Sequence, residues 1–333
     1  MPDKLLSVKD LKLHYFTSKG VVRALDGVSF DLAPGETLGL VGESGCGKTT
    51  TGVALLNMPS PPGRIVSGSI MLDNAEIVGM RDRELRTQVR WSRISMVFQG
   101  AMNCLTPVYT IRALMRETFM AHADTRKREA AEAESLMRHY MNVVGLPEHV
   151  LGRYPHELSG GMKQRVVIAI ALFLEPKVVI MDEPTTALDV IVQAQILNLV
   201  KVLKRSLNLS YIFITHDLAT EAEVADRIMV MYAGKVAEIG TNEQIFGERG
   251  PLHPYTQKLL NATPRLHRKV SELAFIPGAP PDLIDPPPGC RFAPRCTMAR
   301  DKCRQEEPPL VVLEPDHSVS CWMAMEDPEY ARS

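Results

Sequence analysis

The chain has 333 residues, of which 45% are hydrophobic and 23% charged, and its formal net charge is -1. This composition excludes an intrinsically disordered chain, and the near-neutral balance argues against nucleic-acid binding through overall charge. The longest uninterrupted apolar run, Val166 to Leu174, has nine residues, about half of the ~20 that a membrane-spanning helix needs. Because the N-terminus is also too charged for a secretory leader, we expect a cytoplasmic protein that other subunits anchor if it works at a membrane.

The first 262 residues carry alternating signals for strands and helices. Alternation of apolar and polar residues over Leu5 to Leu32 and Ile65 to Leu72 predicts a small antiparallel sheet. Residues 48–57 predict a helix, and residues 108–145 are charged with apolar side chains at helical spacing. Short apolar runs predict buried parallel strands at 36–41, 94–98, 178–181 and 211–215. We therefore expect an α/β domain over residues 1–262, with a helical insertion at about residues 103–165.

The composition changes near residue 262. Twelve of the 24 prolines lie in residues 261–333, and four of the six cysteines lie in the last 44 residues. Proline-rich chain of this kind cannot continue a regular α/β pattern, so we predict a small C-terminal cysteine-rich domain over residues 263–333. A unit of this size buries little apolar surface and commonly needs a metal or a cross-link.

The stretch GESGCGKT, at residues 42–49, fits the phosphate-loop pattern G-x-x-x-x-G-K-[ST]. It follows a predicted strand and opens a predicted helix, which is the context that the pattern requires. Its glycines let backbone N–H groups point at phosphate oxygens, and the helix N-terminus adds partial positive charge. We expect the Lys48 ammonium to reach the outer phosphates and the Thr49 hydroxyl to bind Mg²⁺. The residues predicted to bind the nucleotide here are Gly42, Ser44, Gly45, Cys46, Gly47, Lys48, Thr49 and Thr50.

An apolar run that ends in two acids follows at residues 178–183. In this position Asp182 would lie beside the metal ion, and Glu183 would polarise the attacking water as a general base. Two solvated acids at a strand end are the ordinary alternative for an isolated Asp-Glu pair. The phosphate loop in the same chain favours the catalytic interpretation.

The segment LSGGMKQR, at residues 158–165, places a serine and two glycines at the start of a predicted helix. Such a turn forms a second nest for phosphate, which one nucleotide does not need from one subunit. Two subunits that face each other head to tail would use both loops. We therefore predict that Ser159, Gly160, Gly161 and Gln164 face a nucleotide bound to a partner subunit.

Together, these motifs resemble those of the ATPase subunits of ABC transporters, over roughly residues 4–262. The resemblance implies an ATPase that binds ATP and Mg²⁺, built on a P-loop cassette with a RecA-like core, an antiparallel β arm and a helical subdomain. It also implies that Gln99 is the Q-loop glutamine, which contacts ATP and Mg²⁺, that Asp189 belongs to the D-loop, and that His216 is the switch histidine. Tyr15, 27 residues before the phosphate loop, is similar to the aromatic residue that stacks on adenine in this family.

Within that family the chain resembles the dipeptide/oligopeptide importer branch, through GETLGLVGESGCGK (35–48), HPYT (253–256) and GCRFAPRC (289–296). The resemblance implies a peripheral subunit at the cytoplasmic face of the cell membrane that powers import of a peptide or related solute. The partners that it implies are a second, related ABC ATPase, two transmembrane permease subunits and an extracytoplasmic solute-binding protein, with no nucleic acid. After Gln99 the chain departs from the branch, because it reads GAMNCLTP near the expected permease contact. The solute stays open between a dipeptide, an oligopeptide, an oligosaccharide, nickel and others.

Simpler interpretations exist for the accessory residues and for the function. His216 could be a surface histidine, Gln99 could cap a strand, and Tyr15 could pack within the β arm. A soluble ABC ATPase that acts on DNA or ribosomes usually carries long coiled coils or paired cassettes, and this sequence has one cassette and no sustained heptad pattern. A P-loop kinase has no use for the Ser159 turn or for a switch histidine.

The tail cysteines, Cys290, Cys296, Cys303 and Cys321, follow the spacing C-x5-C-x6-C-x17-C. Two disulfides fit the even count but not a reducing compartment. A structural zinc fits four thiolates, although such sites usually use pairs about two to four residues apart. A [4Fe–4S] cluster spreads its ligands over four irons and suits wide spacing. The spacing leaves zinc and the cluster open, and the resemblance to the importer branch implies the cluster, in a structural role.

Overall fold

The computed structural model describes residues 4–126, 130–262 and 276–327. The strands in these ranges are β1 (Leu6–Thr17), β2 (Gly20–Leu32), β3 (Thr37–Val41), β4 (Gly63–Leu72), β5 (Ala75–Glu76), β6 (Ile94–Val97), β7 (Val178–Asp182), β8 (Ser210–Ile214), β9 (Arg227–Tyr232), β10 (Lys235–Thr241), β11 (Val311–Glu314) and β12 (His317–Val319). The α-helices are α1 (Lys48–Leu55), α2 (Asp82–Glu84), α3 (Ile111–Arg126), α4 (Ala130–Val143), α5 (Gly160–Leu172), α6 (Val190–Leu207), α7 (Leu218–Val224), α8 (Asn242–Phe246), α9 (Pro254–Asn261), α10 (Asp301–Gln305) and α11 (Trp322–Glu326). In the described ranges, no helix has both the length and the apolar character that crossing a membrane requires.

The strands and the helix that surround the predicted motifs are confirmed. β3, β6, β7, β8 and α1 all begin and end within two residues of their predicted bounds. The predicted helical stretch at 108–145 contains α3 and α4. Each of these elements is marked in the sequence by a short local pattern, either an apolar run or a motif of fixed length. The predicted bounds therefore agree with the observed ones.

The first of two compact units comprises Met1–Leu5, Leu32–Glu36 and Leu72–Phe213. Its strands are ordered β8-β7-β6, and β6 and β7 are parallel, as predicted. Helices α3, α4 and α5 pack on one another around buried aromatic rings. The Phe173 ring lies 6.0 Å from that of Phe119 and 6.2 Å from that of Tyr140, measured between ring centroids. This packing fixes α5, at whose start the LSGG segment lies.

The second unit comprises Leu6–Asp31, Thr37–Met71 and Ile214–Ser333. One sheet of this unit has the strand order β2-β1-β4. The other has the strand order β11-β12-β10-β9-β3. β3 and β9 are parallel, whereas β9 with β10, β10 with β12 and β12 with β11 are antiparallel. The strands of the C-terminal tail therefore extend the same sheet that leads, through β3, into the phosphate loop.

The tail shares a buried core with the rest of this unit. The rings of Tyr232, Tyr255 and Phe292 pack with centroid distances of 4.6 to 5.3 Å. In β10, the buried Glu238 carboxylate lies 2.7 Å from Nε2 of His317, a residue of the tail. The predicted domain boundary near residue 262 adjoins residues 263–275, which lie outside the described ranges, and it stays a prediction.

Candidate nucleotide site

The phosphate loop joins β3 to α1, and two of its glycines cannot be replaced without moving the backbone. Gly42 has φ 147°, and a Cβ atom there would lie 2.2 Å from the carbonyl oxygen of Met231. Gly47 has φ 110°, and a Cβ atom there would lie 2.9 Å from Cδ2 of Leu25. L-residues with a side chain rarely adopt these backbone angles, so glycine at both positions fixes the path of the loop.

The ammonium group of Lys48 lies within this loop. Its Nζ donates hydrogen bonds to the carbonyl oxygens of Gly42 at 2.6 Å and Glu43 at 3.2 Å. Burial raises the pKa of the neighbouring Cys46 thiol, so this side chain stays uncharged. Of the predicted ligands, Ser44, Gly45 and Thr49 are exposed, Thr50 is half-buried, and Gly42, Cys46, Gly47 and Lys48 are buried. The loop therefore combines the Lys48 ammonium with exposed residues at a helix N-terminus, which is an arrangement that suits an anion.

In the first unit, Gln99 and Glu183 contact each other. Nε2 of Gln99 donates a hydrogen bond to Oε2 of Glu183 at 2.8 Å, and Oγ1 of Thr186 donates to the same oxygen at 2.9 Å. Glu183 has φ 47°, which is unusual for a residue other than glycine and costs free energy. Asp182, at the end of β7, is buried. The two donors hold the same oxygen of the Glu183 carboxylate, just after the end of β7.

The LSGG segment (158–161), called the signature below, and the D-loop residue Asp189 lie at the starts of two helices of the same unit. Ser159 caps α5, since its Oγ accepts a hydrogen bond from the backbone N–H of Met162 at 3.3 Å, and Ser159 and Gly160 are exposed. Asp189 caps α6 in the same way. Gln164 lies one turn deeper in α5 and is only 3% exposed, so it contributes to the interior of the unit. The surface that a partner could meet is formed by the first residues of α5.

The switch histidine follows β8 and precedes α7. His216 is exposed, and the next residue, Asp217, caps α7 through a hydrogen bond from the backbone N–H of Ala219 at 3.0 Å. Further along α7, the carboxyl group of Glu221 is fully buried against β3, where a Cβ atom at Gly39 would lie 2.3 Å from its Oε2. Sequence reasoning missed Glu221, because a buried acid on a short helix has no local signal.

Two neighbouring aromatic residues near the end of β1 differ in exposure. Tyr15 is half-buried against Gly63, where a Cβ atom would lie 2.7 Å from its ring. Phe16 is 45% exposed, and the Arg64 guanidinium lies 5.9 Å from its ring centroid. Both rings belong to the arm formed by β2, β1 and β4, where the adenine-stacking residue was predicted.

The four tail cysteines line one small cavity, together with apolar side chains that include Phe292, Met298 and Trp322. All six cysteines of the chain are free thiols, and burial raises the pKa of Cys290 to about 12. The N–H of Cys290 donates to the carbonyl oxygen of Cys303 at 2.8 Å, which brings these two residues together. Among the described residues, no group of three or more His, Cys, Asp or Glu is arranged to hold a metal ion. The thiols thus converge, but neither the predicted cluster nor the zinc alternative is confirmed.

Two family models match this chain. The model for ABC transporters matches residues 25–186, and the model for the C-terminal region of oligopeptide/dipeptide transporters matches residues 237–303. The dipeptide transport ATP-binding protein DppD of Bacillus subtilis is 45% identical over 99% of this chain and 97% of its own length. The chain belongs to the ABC transporter ATPases of the oligopeptide/dipeptide branch. Its resemblance to that branch is therefore confirmed, and it is an ATPase.

Other comparisons agree with this assignment. The oligopeptide transport ATP-binding protein OppD of Salmonella typhimurium is 44% identical over 97% of this ABC ATPase and 95% of its own length. A dimeric structure of the ATP-binding cassette MJ0796, in a post-hydrolysis state bound to ADP and Pi, is 25% identical with a TM-score of 0.62, over 72% of this chain and all of that one. A structure of cbiO1 from Clostridium perfringens is 30% identical with a TM-score of 0.62, over 75% of this chain and 93% of that chain. The predicted P-loop cassette fold is thus confirmed.

Proposed function

We propose that this ABC ATPase powers the import of peptides or related small solutes. The similarity to relatives named as dipeptide and oligopeptide transport proteins extends over nearly the whole chain and includes the tail. This full-length similarity carries the proposal. A soluble ABC ATPase that acts on nucleic acid would share the cassette but has no need of an oligopeptide-transporter C-terminal region.

In this proposal the phosphate loop binds ATP, and Thr49, Gln99 and Asp182 would hold Mg²⁺. A hydroxyl, an amide oxygen and a carboxylate are the oxygen ligands that this hard cation prefers. Nε2 of Gln99 donates to Glu183, so the amide oxygen is the atom that Gln99 offers to a cation. When bound, Mg²⁺ neutralises charge that develops on the phosphate oxygens.

Hydrolysis is assigned to Glu183. Its carboxylate would accept a proton from the water that attacks the γ-phosphorus, while the bond from that phosphorus to ADP breaks. Gln99 and Thr186 both donate to Oε2 of this carboxylate and hold it in one orientation. His216 would hold the γ-phosphate and the attacking water in register.

We propose that the site is completed by a second ATPase subunit. The γ-phosphate would be contacted by Ser159, Gly160 and Gly161 of a facing subunit. Asp189 of the D-loop would lie beside these residues. Gln164 is buried, which argues that it supports the segment from within and does not contact the nucleotide. MJ0796 has been solved as a dimer, which is consistent with two cassettes acting together. ATP binding would close such a pair and hydrolysis would let it open.

The motion would be passed to two permease subunits through residues 100–115, at the cytoplasmic face of the membrane. Val108 and Tyr109 in this segment are 71% and 52% exposed, which leaves apolar surface for a partner. The unusual stretch at 100–107 would adapt this surface to its own permeases. An extracytoplasmic binding protein and the permeases, and not the ATPase, would select the solute.

We also propose that Cys290, Cys296, Cys303 and Cys321 of a C-terminal domain over 263–333 hold a [4Fe–4S] cluster, with zinc as the alternative. The four thiols line one cavity with apolar walls, and soft thiolate ligands in an apolar shell suit such a cluster. The cluster would serve structure, because ATP hydrolysis requires no electron.

The proposal is tested with the chain expressed together with its permeases and binding protein in membrane vesicles. We expect two hydrophobic permeases to co-purify with the chain. We also expect ATP-dependent uptake of a labelled peptide, chosen from a panel of solutes that also contains an oligosaccharide and nickel. Lys48→Ala should abolish uptake, whereas Arg205→Ala, at an exposed position of α6, should leave it unchanged. Co-purification with nucleic acid and no permease would reject the importer assignment.

A further inference from the structure

Glu43, the second residue of the phosphate loop, is held by two residues outside the loop. Its carboxylate forms a bidentate pair with Arg295, with Nη1–Oε2 at 2.6 Å and Nη2–Oε1 at 2.9 Å. Its backbone N–H donates a hydrogen bond to the hydroxyl of Tyr255 at 2.8 Å. Its carbonyl oxygen accepts from Nζ of Lys48 at 3.2 Å. One residue thus links the phosphate-binding lysine to α9 and to the tail.

Arg295 is itself fixed in the tail, immediately before Cys296. Its side chain is 5% exposed, and its Nε donates to the carbonyl oxygen of Pro277 at 2.9 Å. Nη1 also donates to the hydroxyl of Tyr232 at 3.1 Å. In turn, Lys258 donates from Nζ to the carbonyl oxygen of Arg295 at 3.0 Å. The guanidinium is therefore a rigid, buried cation aimed at Glu43.

The charge on Glu43 gives this pair a functional consequence. A carboxylate inside a phosphate loop repels the triphosphate unless a cation neutralises it, and partial burial strengthens that repulsion. A planar guanidinium that makes two parallel hydrogen bonds neutralises the carboxylate and also fixes its direction. Without Arg295, Glu43 would be an unpaired anion next to the bound phosphates.

We propose that Arg295 is a positioning residue of the phosphate loop, through which the cysteine-rich tail sets the affinity for the nucleotide. The inference rests on ATP binding at the Lys48 loop as proposed above. Arg295 acts only through Glu43 and does not touch the nucleotide. Its removal should therefore change nucleotide binding more than the chemical step.

The test is an equilibrium titration of the full-length chain with a fluorescent ATP analogue and Mg²⁺. Arg295→Met should weaken binding by about tenfold or more, and Arg295→Lys, which keeps the charge but not the bidentate fork, should restore part of the affinity. The double variant Glu43→Gln/Arg295→Met should bind more tightly than Arg295→Met alone, because the unpaired carboxylate is gone. The rate of a single turnover at saturating ATP should stay within about twofold of wild type.

The matched control is Arg300→Met, which breaks an exposed ion pair with Glu326 in the same tail and should leave the affinity unchanged. The inference is overturned if Arg295→Met binds as tightly as wild type, or if the double variant binds more weakly than Arg295→Met. If Arg295→Met does not fold, folded Arg295→Lys is compared with wild type, and equal affinity of the two would overturn the inference, because the bidentate fork is lost. A wild-type chain that binds no nucleotide would instead reject the proposed function.

Discussion

Gln99 donates a hydrogen bond from its amide nitrogen to the Glu183 carboxylate over 2.8 Å, although 84 residues separate them in the sequence. The contact joins a residue assigned to Mg²⁺ with the residue assigned as the general base. A cation bound at Gln99 would therefore act electrostatically on the carboxylate that is assigned as the base.

We expect Glu183→Gln to lower the ATP turnover rate by at least ~100-fold, since the amide cannot accept the proton from water. ATP binding should survive, and the protein should accumulate as a closed pair with ATP, which size-exclusion chromatography with light scattering detects. The control is Glu175→Gln, an exposed acid that precedes β7. Normal steady-state turnover in Glu183→Gln would exclude Glu183 as the base.

Thr186→Val removes the second donor to Glu183 while keeping the size of the side chain. Because the carboxylate would lose the orienting hydrogen bond from Thr186, we expect kcat to fall by roughly 5- to 10-fold with little change in KM for ATP. Thr118→Val, which removes a hydroxyl bonded within α3, serves as the control. Equal kinetics for the two variants would show that Thr186 does not position the base.

Tyr15→Ala should raise the Kd for ATP by about tenfold, which is the order of one lost stacking interaction with a base. Tyr15→Phe should keep the affinity, because the ring and not the hydroxyl stacks. The neighbouring variant Phe16→Ala is the comparison, since its exposed ring extends from the opposite face of the strand. If Phe16→Ala loses affinity and Tyr15→Ala does not, the stacking residue is Phe16.

Burial, and then the negative charge of Asp217, raise the pKa of Glu221 well above its ordinary value. Above the ordinary pKa of a glutamate, the folded chain therefore keeps a proton on Glu221 that the unfolded chain has lost. The contribution of Glu221 to the free energy of unfolding is complete below pH ~4.5 and is lost as the pH rises towards the folded-state pKa. We expect Glu221→Gln to match wild type in Tm near pH 4.5 and to exceed it by roughly 2–4 °C at pH 8. Glu223→Gln, an exposed acid on the same helix, should show no such trend. A Tm difference that does not change with pH would show that Glu221 does not titrate in this way.

Anaerobically purified protein should be brown, with broad absorption near ~400 nm and about four irons per chain. Cys296→Ser should lose the colour, whereas Cys104→Ser, at an exposed position outside the tail, should keep it. Because Arg295 precedes Cys296, the first variant should also bind the fluorescent ATP analogue more weakly. Stoichiometric zinc, with neither iron nor labile sulfide, would favour the alternative metal.

The sequence predicted the parts of the site that are local in the chain. The phosphate loop, the acids after β7 and the serine at the start of α5 each have a motif of fixed spacing and a strand or helix beside it. By contrast, Glu43 and Arg295 are 252 residues apart, and only the folded chain brings them together. The apolar run that forms β9 could have been recognised, but the antiparallel pairing of β10 with β12 depends on a tail that reads as irregular chain. Burial of Gln164 also depends on tertiary packing. The sequence therefore grouped it with the exposed residues of the signature, although it lies in the interior of the first unit.

The pairing of β12 with β10 also bears on how the chain can be divided. If the residues after 262 were removed, β10 would become an open edge strand, with unpaired backbone groups beside Val236 and Ile239, which are now buried. Glu238 would at the same time lose its contact with His317 and keep the hydrogen bonds from the backbone N–H groups of Leu252 and His253. Exposed apolar edges of this kind recruit strands from other molecules, so the isolated cassette is an aggregation hazard. The strands of the tail thus protect an edge of the sheet that carries the phosphate loop.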